Sequence, residues 1–382
     1  MRVTTRFDRC DMVECFMVIA MGARRDDPSI PAWSRDRLDS HAPPEIEAPY
    51  FDDILKAWVL SRHADVLAAF RASTLSPASA DSKEASGTSD ESARSKMRAE
   101  TMEALSPAQL HAWREKLSPE AQALAGSLPI EEPVDLMDGY ARPLCLSLAA
   151  MVTGISRGDA ESFHERAQRI SAAAAEPYDT ALRDSAKSAN AELRGCFHSG
   201  PEALRDSGFV ALSQTMPCVL GNAWFALMQY PQEWSLLHQQ PGLMEQAIEE
   251  LLRYAGLVRI LLRTATAEVD LNGAFIRRGE RIILRIVAAN RDPERFSHPN
   301  KVDVARRDVG HLTLGAGPHA CVAASLIRMA AIAITHPLVQ GFALANPARP
   351  VDWQGGSGFR SPKSLWVCLT AAEGESRIGN RE

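Results

Sequence analysis

The chain has 382 residues, enough for one large domain or two ordinary ones. Hydrophobic residues make up 46% and charged residues 24%, the proportions of a globular protein with an ample core. A formal charge of -6 leaves no basic excess to neutralise phosphates, which argues against nucleic acid as a partner.

At the N-terminus, residues 1–45 show no sustained period and contain several prolines, so an irregular leader is expected. Its apolar run, Cys15 to Met21, is far shorter than the roughly 20 residues of a membrane span. The run follows Asp8, Asp11 and Glu14, whereas a signal peptide opens on basic residues. The cysteines (Cys10, Cys15, Cys145, Cys196, Cys218, Cys321 and Cys368) are scattered, odd in number and free of any Cys-x-x-Cys pair. A reducing, cytoplasmic compartment is therefore expected.

From Lys56 to Ser73 a strand-like run passes into a helix-like one. The Ser- and Ala-rich stretch from Thr74 to Ala93 has little to bury and reads as a mobile loop, followed by a helix from Ser92 to about Leu105. Residues 110–197 read as mostly helical, with breaks near Pro129–Pro133 and Gly154–Gly158. The segment from Phe209 to Pro231 is apolar almost all round, which predicts a helix buried through the middle of the domain, bent at Pro217. Gly242–Gly256 is an amphipathic helix ended by glycine. Thr264–Asn290 then alternates like strands around turns at Asn272-Gly273 and Arg278-Gly279. A polar meander follows as far as His311, and a final helix is expected from Val322 to about Ile334. No internal repeat or domain boundary interrupts this order, so the fold class is mainly α with a small β portion, in a single domain.

One short run concentrates the chemistry. "LGAGPHAC" (Leu314–Cys321) places Gly315, Gly317 and Pro318 in a compact turn whose N–H groups can converge on one place. Cys321 closes the turn, at the expected N-terminus of a helix, where amides and the dipole favour a thiolate. Such a thiolate is a nucleophile or a metal ligand. His319 is poorly placed to serve a nucleophile as base, which leaves an axial ligand to haem iron as the other choice.

These residues resemble the haem-binding loop of the cytochrome P-450 superfamily, Phe-Gly-x-Gly-x-His-x-Cys. Other family segments follow in order between about residues 50 and 370, so the resemblance implies a cytochrome P-450 domain over 46–370, with a polar tail over 371–382. Glu250 and Arg253 match the family's Glu-x-x-Arg helix, and Arg306 in the meander would complete a structural ion network supporting the loop. For haem b (iron protoporphyrin IX), the resemblance implies Cys321 as metal ligand and Arg98, Arg263, His319 and Arg94 as partners of the propionates. Arg94 departs from the usual histidine.

The oxygen-handling motif would be Ala211, Leu212, Ser213, Gln214 and Thr215. Its alcohol is kept, and its usual acid has become an amide that cannot donate as an acid. The pocket is expected to draw on Ala211, Leu212, Val258, Arg259 and Leu262, and to take a mostly apolar small molecule. Arg259 would either meet an anionic substrate group or lie exposed. The region between about Ala172 and Phe209 is shorter than in the family, which implies a differently covered pocket.

The resemblance implies an oxygen-dependent monooxygenase, hydroxylating or epoxidising, that is monomeric and takes its electrons from a ferredoxin and ferredoxin reductase. The altered motif keeps open a haem-thiolate peroxygenase, isomerase or dehydratase that needs no external electrons. A non-catalytic binding module on the same fold is a third reading, against which the retained Cys321, Glu250 and Arg253 argue.

Overall fold

The structure, a computed structural model, describes residues 45–53, 55–77, 88–175, 180–194, 197, 204–308, 310–355 and 358–371. The expected leader and tail therefore lie outside the described residues, apart from Glu45 and Ala371. So does the 78–87 part of the expected loop.

The N-terminal strands β1 (Tyr50–Asp52) and β2 (Ala57–Leu60) lead into α1 (His63–Arg71) and β3 (Leu75–Pro77). Helices α2 (Thr88–Ala104) and α3 (Pro107–Ser127) are separated where Pro107, lacking an N–H, starts a new helix. The helix α2 begins at Thr88, four residues earlier than Ser92. Strand β4 (Pro133–Asp135) and a π turn over Met137–Ala141 precede α4 (Arg142–Thr153), which ends on Gly154 at φ 73°. Helices α5 (Arg157–Ala175) and α6 (Thr180–Arg194) pack as a pair.

The apolar central segment forms one continuous helical run: α7 (Asp206–Val210), a π turn over Ala211–Thr215, and α8 (Met216–Met228). Pro217 explains the π turn. It has no N–H for the carbonyl of Ser213, and the ladder slips so that Met216 N–H donates to Ala211 O, five residues back. Trp224, on α8, is fully buried and donates to Thr335 Oγ1 at 3.0 Å; Tyr140, 5.7 Å away between ring centroids, donates to Ile334 O at 2.8 Å.

Helices α9 (Pro231–Gln239) and α10 (Met244–Ala255) follow, the second burying one face and exposing the other as its periodicity predicts. The β-rich region comprises β5 (Ile260–Ala265), β6 (Val269–Leu271), β7 (Ala274–Ile276) and β8 (Arg281–Arg285). Its hairpin turns on Asn272 and Gly273, at φ 54° and 93°. The strand pattern begins earlier than Thr264 and ends earlier than Asn290: Ile286–Ala289 is a short helix, α11. A sheet of order β1-β2-β8-β5-β3 results, with β2 parallel to β8 and the other neighbours antiparallel. The final helix, α12 (Ala324–Gly341), starts two residues later than Val322 and runs seven past Ile334, through Pro337. Four strands complete the chain: β9 (Leu344–Pro347), β10 (Asp352–Gly355), β11 (Arg360–Ser364) and β12 (Trp366–Thr370). Among the described residues no helix is long and apolar enough to cross a membrane.

Candidate active site

A chamber of about 1620 Å³, part of it open to solvent, lies between the central helical run and the Leu314–Ala323 segment. Ala211, Leu212, Thr215 and Met216 line one side and Leu314, Gly315, Cys321 and Ala323 another. Val258, Leu261 and Phe359 close a third, and Ile170, Ser171, Leu204 and Gly208 add to the wall.

The loop that carries Cys321 is closed by its own backbone. Gly315 N–H donates to Leu312 O at 2.9 Å, Ala320 N–H to Gly317 O at 3.1 Å, and Cys321 N–H to Leu314 O at 2.7 Å. Gly317 sits at φ 65°, and a Cβ there would lie 2.9 Å from Phe70 O on α1, so only glycine lets loop and helix approach. The sequence expectation that Cys321 stands at a helix N-terminus is corrected: the N-cap is Ala323, two residues on, because Cys321 closes the turn first and its carbonyl accepts Ala324 N–H at 3.2 Å. Of the described cysteines, Cys145 and Cys218 are buried with thiols pushed up by burial, and neither lines the chamber. Cys321 does.

Two cations reach the same space. Arg98, on α2, lines the chamber and donates from Nη1 to Ala320 O at 2.7 Å, tying its helix to the loop. Arg263, on β5, is buried, lines the chamber and lies 5.7 Å from the Phe70 ring centroid. The side chains of Arg94 and His319 lie outside what the structure describes; Arg94 falls on α2 and His319 in the loop.

Behind the loop, Glu250, Arg253 and Arg306 meet in the interior. Arg253 Nε donates to Glu250 Oε2 at 2.7 Å and Arg306 Nε to the same oxygen at 2.9 Å, with all three side chains buried. Arg253 Nη1 also donates to Asn290 O at 2.8 Å, and Asn290 Oδ1 accepts Leu312 N–H at 2.7 Å, just ahead of the loop. The network thus reaches the Cys321 segment through Asn290, a link no short motif announces.

Next to it, Glu249 joins α10 to α12 through Arg328, whose Nη2 lies 3.0 Å from Oε2. His311 Nε2 is 3.3 Å from the same carboxylate, near enough to pair but too poorly aligned to hydrogen-bond. Burial raises the Glu249 pKa, but the His311 and Arg328 contacts outweigh it and hold the carboxyl at about 2 against an ordinary 4.5. A depressed carboxyl stabilises the fold above its unfolded pKa, and the benefit fades as pH falls towards the folded value. Glu249→Gln is therefore expected to cost about 1 kcal/mol at neutral pH, discounted for solvent screening. Denaturant midpoints taken at falling pH should show the gap closing between about 4.5 and about 2.

The central π turn holds the five residues singled out from sequence, Ala211 to Thr215. Ala211, Leu212 and Thr215 line the chamber, whereas the Gln214 side chain is not part of its wall. Gln214 Nε2 instead lies 3.1 Å from His164 Nδ1 on α5, and the other ring nitrogen is 2.8 Å from Gln168 Nε2. A neutral imidazole accepts at only one nitrogen, so one of the two amides must present its oxygen. Burial, and then the charge of Arg142, lower the His164 pKa and favour that neutral ring. His164 carried no sequence signal, since only the packing of α5 on the π turn brings it there.

Two pocket expectations are corrected. Leu262 packs on the other face of β5, with Ala57, Val59, Ile260 and Ile283, and Leu261 lines the chamber in its place, as strand alternation requires. Arg259 is neither exposed nor part of the lining: it is partly buried, and among the described residues its fully buried Nη1 has no hydrogen-bond partner.

The architecture is a mainly helical domain enclosing an apolar chamber, into which one of the described cysteines is presented from a glycine turn. The cytochrome P-450 family profile matches residues 233–364. Nocardicin C N-oxygenase of Nocardia uniformis subsp. tsuyamanensis is 28% identical, over 84% of this chain and 91% of that protein. Beta-dihydromenaquinone-9 omega-hydroxylase of Mycobacterium tuberculosis is also 28% identical, over 82% of this chain and 72% of its own length. Among solved structures, CalO2 superposes with a TM-score of 0.73 at 21% identity, covering 90% of this chain and 98% of that one. The LnmA cytochrome P-450 hydroxylase of Streptomyces atroolivaceus gives 0.69 at 24% identity, covering 82% and 90%. These two establish the fold. The chain belongs to the cytochrome P-450 superfamily of haem-thiolate monooxygenases, whose cofactor is haem b.

The chamber fits that group. Its walls are apolar, Arg98 and Arg263 offer cations to two acidic edge groups, and one thiol faces in from the loop side. Among the described residues no cluster of three or more His, Cys, Asp or Glu could hold a bare metal ion.

Proposed function

We propose that this protein hydroxylates or epoxidises a mostly apolar small molecule, using dioxygen and electrons delivered by a ferredoxin and its reductase. The observation that carries the reading is that Cys321 and Thr215 line one apolar chamber from different walls. Haem b, when bound, supplies an iron centre at which dioxygen is activated and one oxygen atom is inserted into substrate.

This chain's own residues do the rest. Cys321 holds the iron as thiolate, and the closed Leu314–Cys321 turn fixes the sulfur's position. Arg98 and Arg263 take the propionates, with His319 and Arg94 assigned the same task on the family pattern alone. Glu250, Arg253 and Arg306 hold the loop in place. Thr215 keeps a hydroxyl at the chamber wall that can donate a hydrogen bond or hold a proton for transfer. Gln214, drawn aside by His164, positions the π turn and supplies no acid. Ala211, Leu212 and Val258 pack against substrate and exclude water. The domain spans 46–370 and works as a monomer in the cytoplasm, where its thiols stay reduced. A small acidic iron–sulfur protein docks near α2, the helix that bears Arg94, Lys96 and Arg98.

A second reading draws on one observation: Gln214, where the family usually has an acid, is bound to His164 and lies outside the chamber wall. A haem-thiolate enzyme working with peroxide, or isomerising or dehydrating an oxygenated lipid, would need no electron-linked protonation there. Turnover of a panel of small apolar compounds separates the two. Product formed with NADPH, ferredoxin and ferredoxin reductase, and absent with hydrogen peroxide alone, is the expected outcome. The reverse pattern would replace the first reading with the second.

A further inference from the structure

Gln214 stands in the π turn between two residues that line the chamber, Ala211 before it and Thr215 directly after it, yet its own side chain is outside the wall. Its amide is engaged elsewhere. Gln214 Nε2 lies 3.1 Å from His164 Nδ1 on α5 and 3.3 Å from Ser213 Oγ. Both of those atoms can accept, so a single orientation of the amide, nitrogen towards α5, satisfies both contacts. His164 then carries its ring proton on Nε2, and Gln168, whose amide is 2.8 Å away, presents its oxygen.

Packing on either side of His164 fixes where its ring sits. Phe163 is buried, its ring centroid 6.0 Å from that of Phe209 on α7 and 5.7 Å from that of Phe197. Ala167 and Ile170, further along α5, are buried in the same core. Burial, and then the charge of Arg142, favour the neutral ring, the form that accepts from an amide; the charge of Asp138 acts the other way. Without His164 the Gln214 amide would keep only its contact to Ser213. Rotation about χ1 would then carry it towards the side where Ala211 and Thr215 face the chamber. There it would compete for the Thr215 hydroxyl and bring a polar group to an apolar wall.

We propose that His164 is a positioning residue acting through Gln214: it clamps the amide to α5, outside the chamber, and leaves Thr215 as the only polar side chain the π turn presents to a bound ligand. The inference rests on the haem-thiolate reading above for what occupies the chamber. The clamp itself is a contact between two side chains and stands apart from that reading.

Two readouts test it. The first does not depend on haem: urea denaturation of the purified wild type, His164→Leu, Gln214→Leu and the double variant. With the clamp present, the double variant's unfolding equilibrium constant should fall short of the product of the two single effects by roughly 2- to 10-fold, the worth of one neutral hydrogen bond. Strictly additive effects would overturn the proposal. The second is the C–O stretch of the reduced, carbon monoxide-bound protein, which falls when a hydrogen-bond donor approaches the bound ligand. His164→Leu should add a band at lower frequency, and the double variant should lose it. His164→Gln, which offers an acceptor oxygen, should show less of that band. Gln214→Leu alone should leave the wild-type band in place, because the amide is already outside. A shift in that variant overturns the proposal even if His164→Leu fails to fold. So does an unchanged His164→Leu spectrum, or a new band that persists in the double variant. A wild type without the thiolate-type Soret band defeats the haem-thiolate reading instead, and the denaturation cycle then decides the clamp.

Discussion

Replacing Cys321 with serine is expected to abolish the red-shifted Soret band of the reduced, carbon monoxide-bound protein and to strip most of the haem during purification. A serine hydroxyl stays protonated at neutral pH and cannot match the charge of a thiolate on iron. Loss of an outer-sphere partner alone costs a metal site roughly 10- to 100-fold in affinity or activity, and loss of the axial ligand itself should exceed that. The remaining described cysteines offer no rescue, since Cys145, Cys218 and Cys368 lie away from the chamber. Absorption spectra and haem content per polypeptide check the prediction. Unchanged haem content with an unaltered band in Cys321→Ser would remove the central assignment.

The second large effect is on stability. Glu250 accepts from Arg253 Nε and Nη2, from Arg306 Nε and from Asp303 N–H, and its side chain is fully buried. Glu250→Ala leaves two buried guanidinium groups without their carboxylate, at a cost of about 3–5 kcal/mol. That is a large share of a typical domain's net stability of about 5–15 kcal/mol. Haem should be lost in parallel. Freed Arg253 shifts the Asn290 carbonyl, and Asn290 also holds Leu312 N–H through Oδ1 and Thr313 Oγ1 through Nδ2. Equilibrium denaturation and haem retention measure both effects. A denaturant midpoint like the wild type's would show that the two arginines find other partners.

Much of this molecule is legible without coordinates. The Phe209–Pro231 segment is apolar all round and therefore buried. Pro217 must disturb its hydrogen bonds, and the π turn over Ala211–Thr215 is that disturbance. The strand run with turns at Asn272-Gly273 and Arg278-Gly279 is as plain, because glycine and asparagine tolerate the positive φ such turns need. Element ends were less legible. The α2 start at Thr88, the α11 helix within an apparent strand, and α12 continuing through Pro337 all depend on packing that local propensity does not encode.

The amino-acid order by itself determined the glycine turn that presents Cys321, the Glu250–Arg253 spacing that sets both charges on one helix face, and the apolar path of the central helix. Each is a local property, carried by backbone freedom, helical pitch or side-chain hydropathy over a few residues. Only the tertiary structure decided that Gln214 turns to His164, that Leu261 replaces Leu262 at the chamber wall, and that Arg259 is partly buried within range of the charges of Arg360 and Arg285. Those outcomes join residues far apart in the chain, and they follow from which helix packs on the π turn and which strand lies beside β5. Contacts of that kind are set by how the whole core closes.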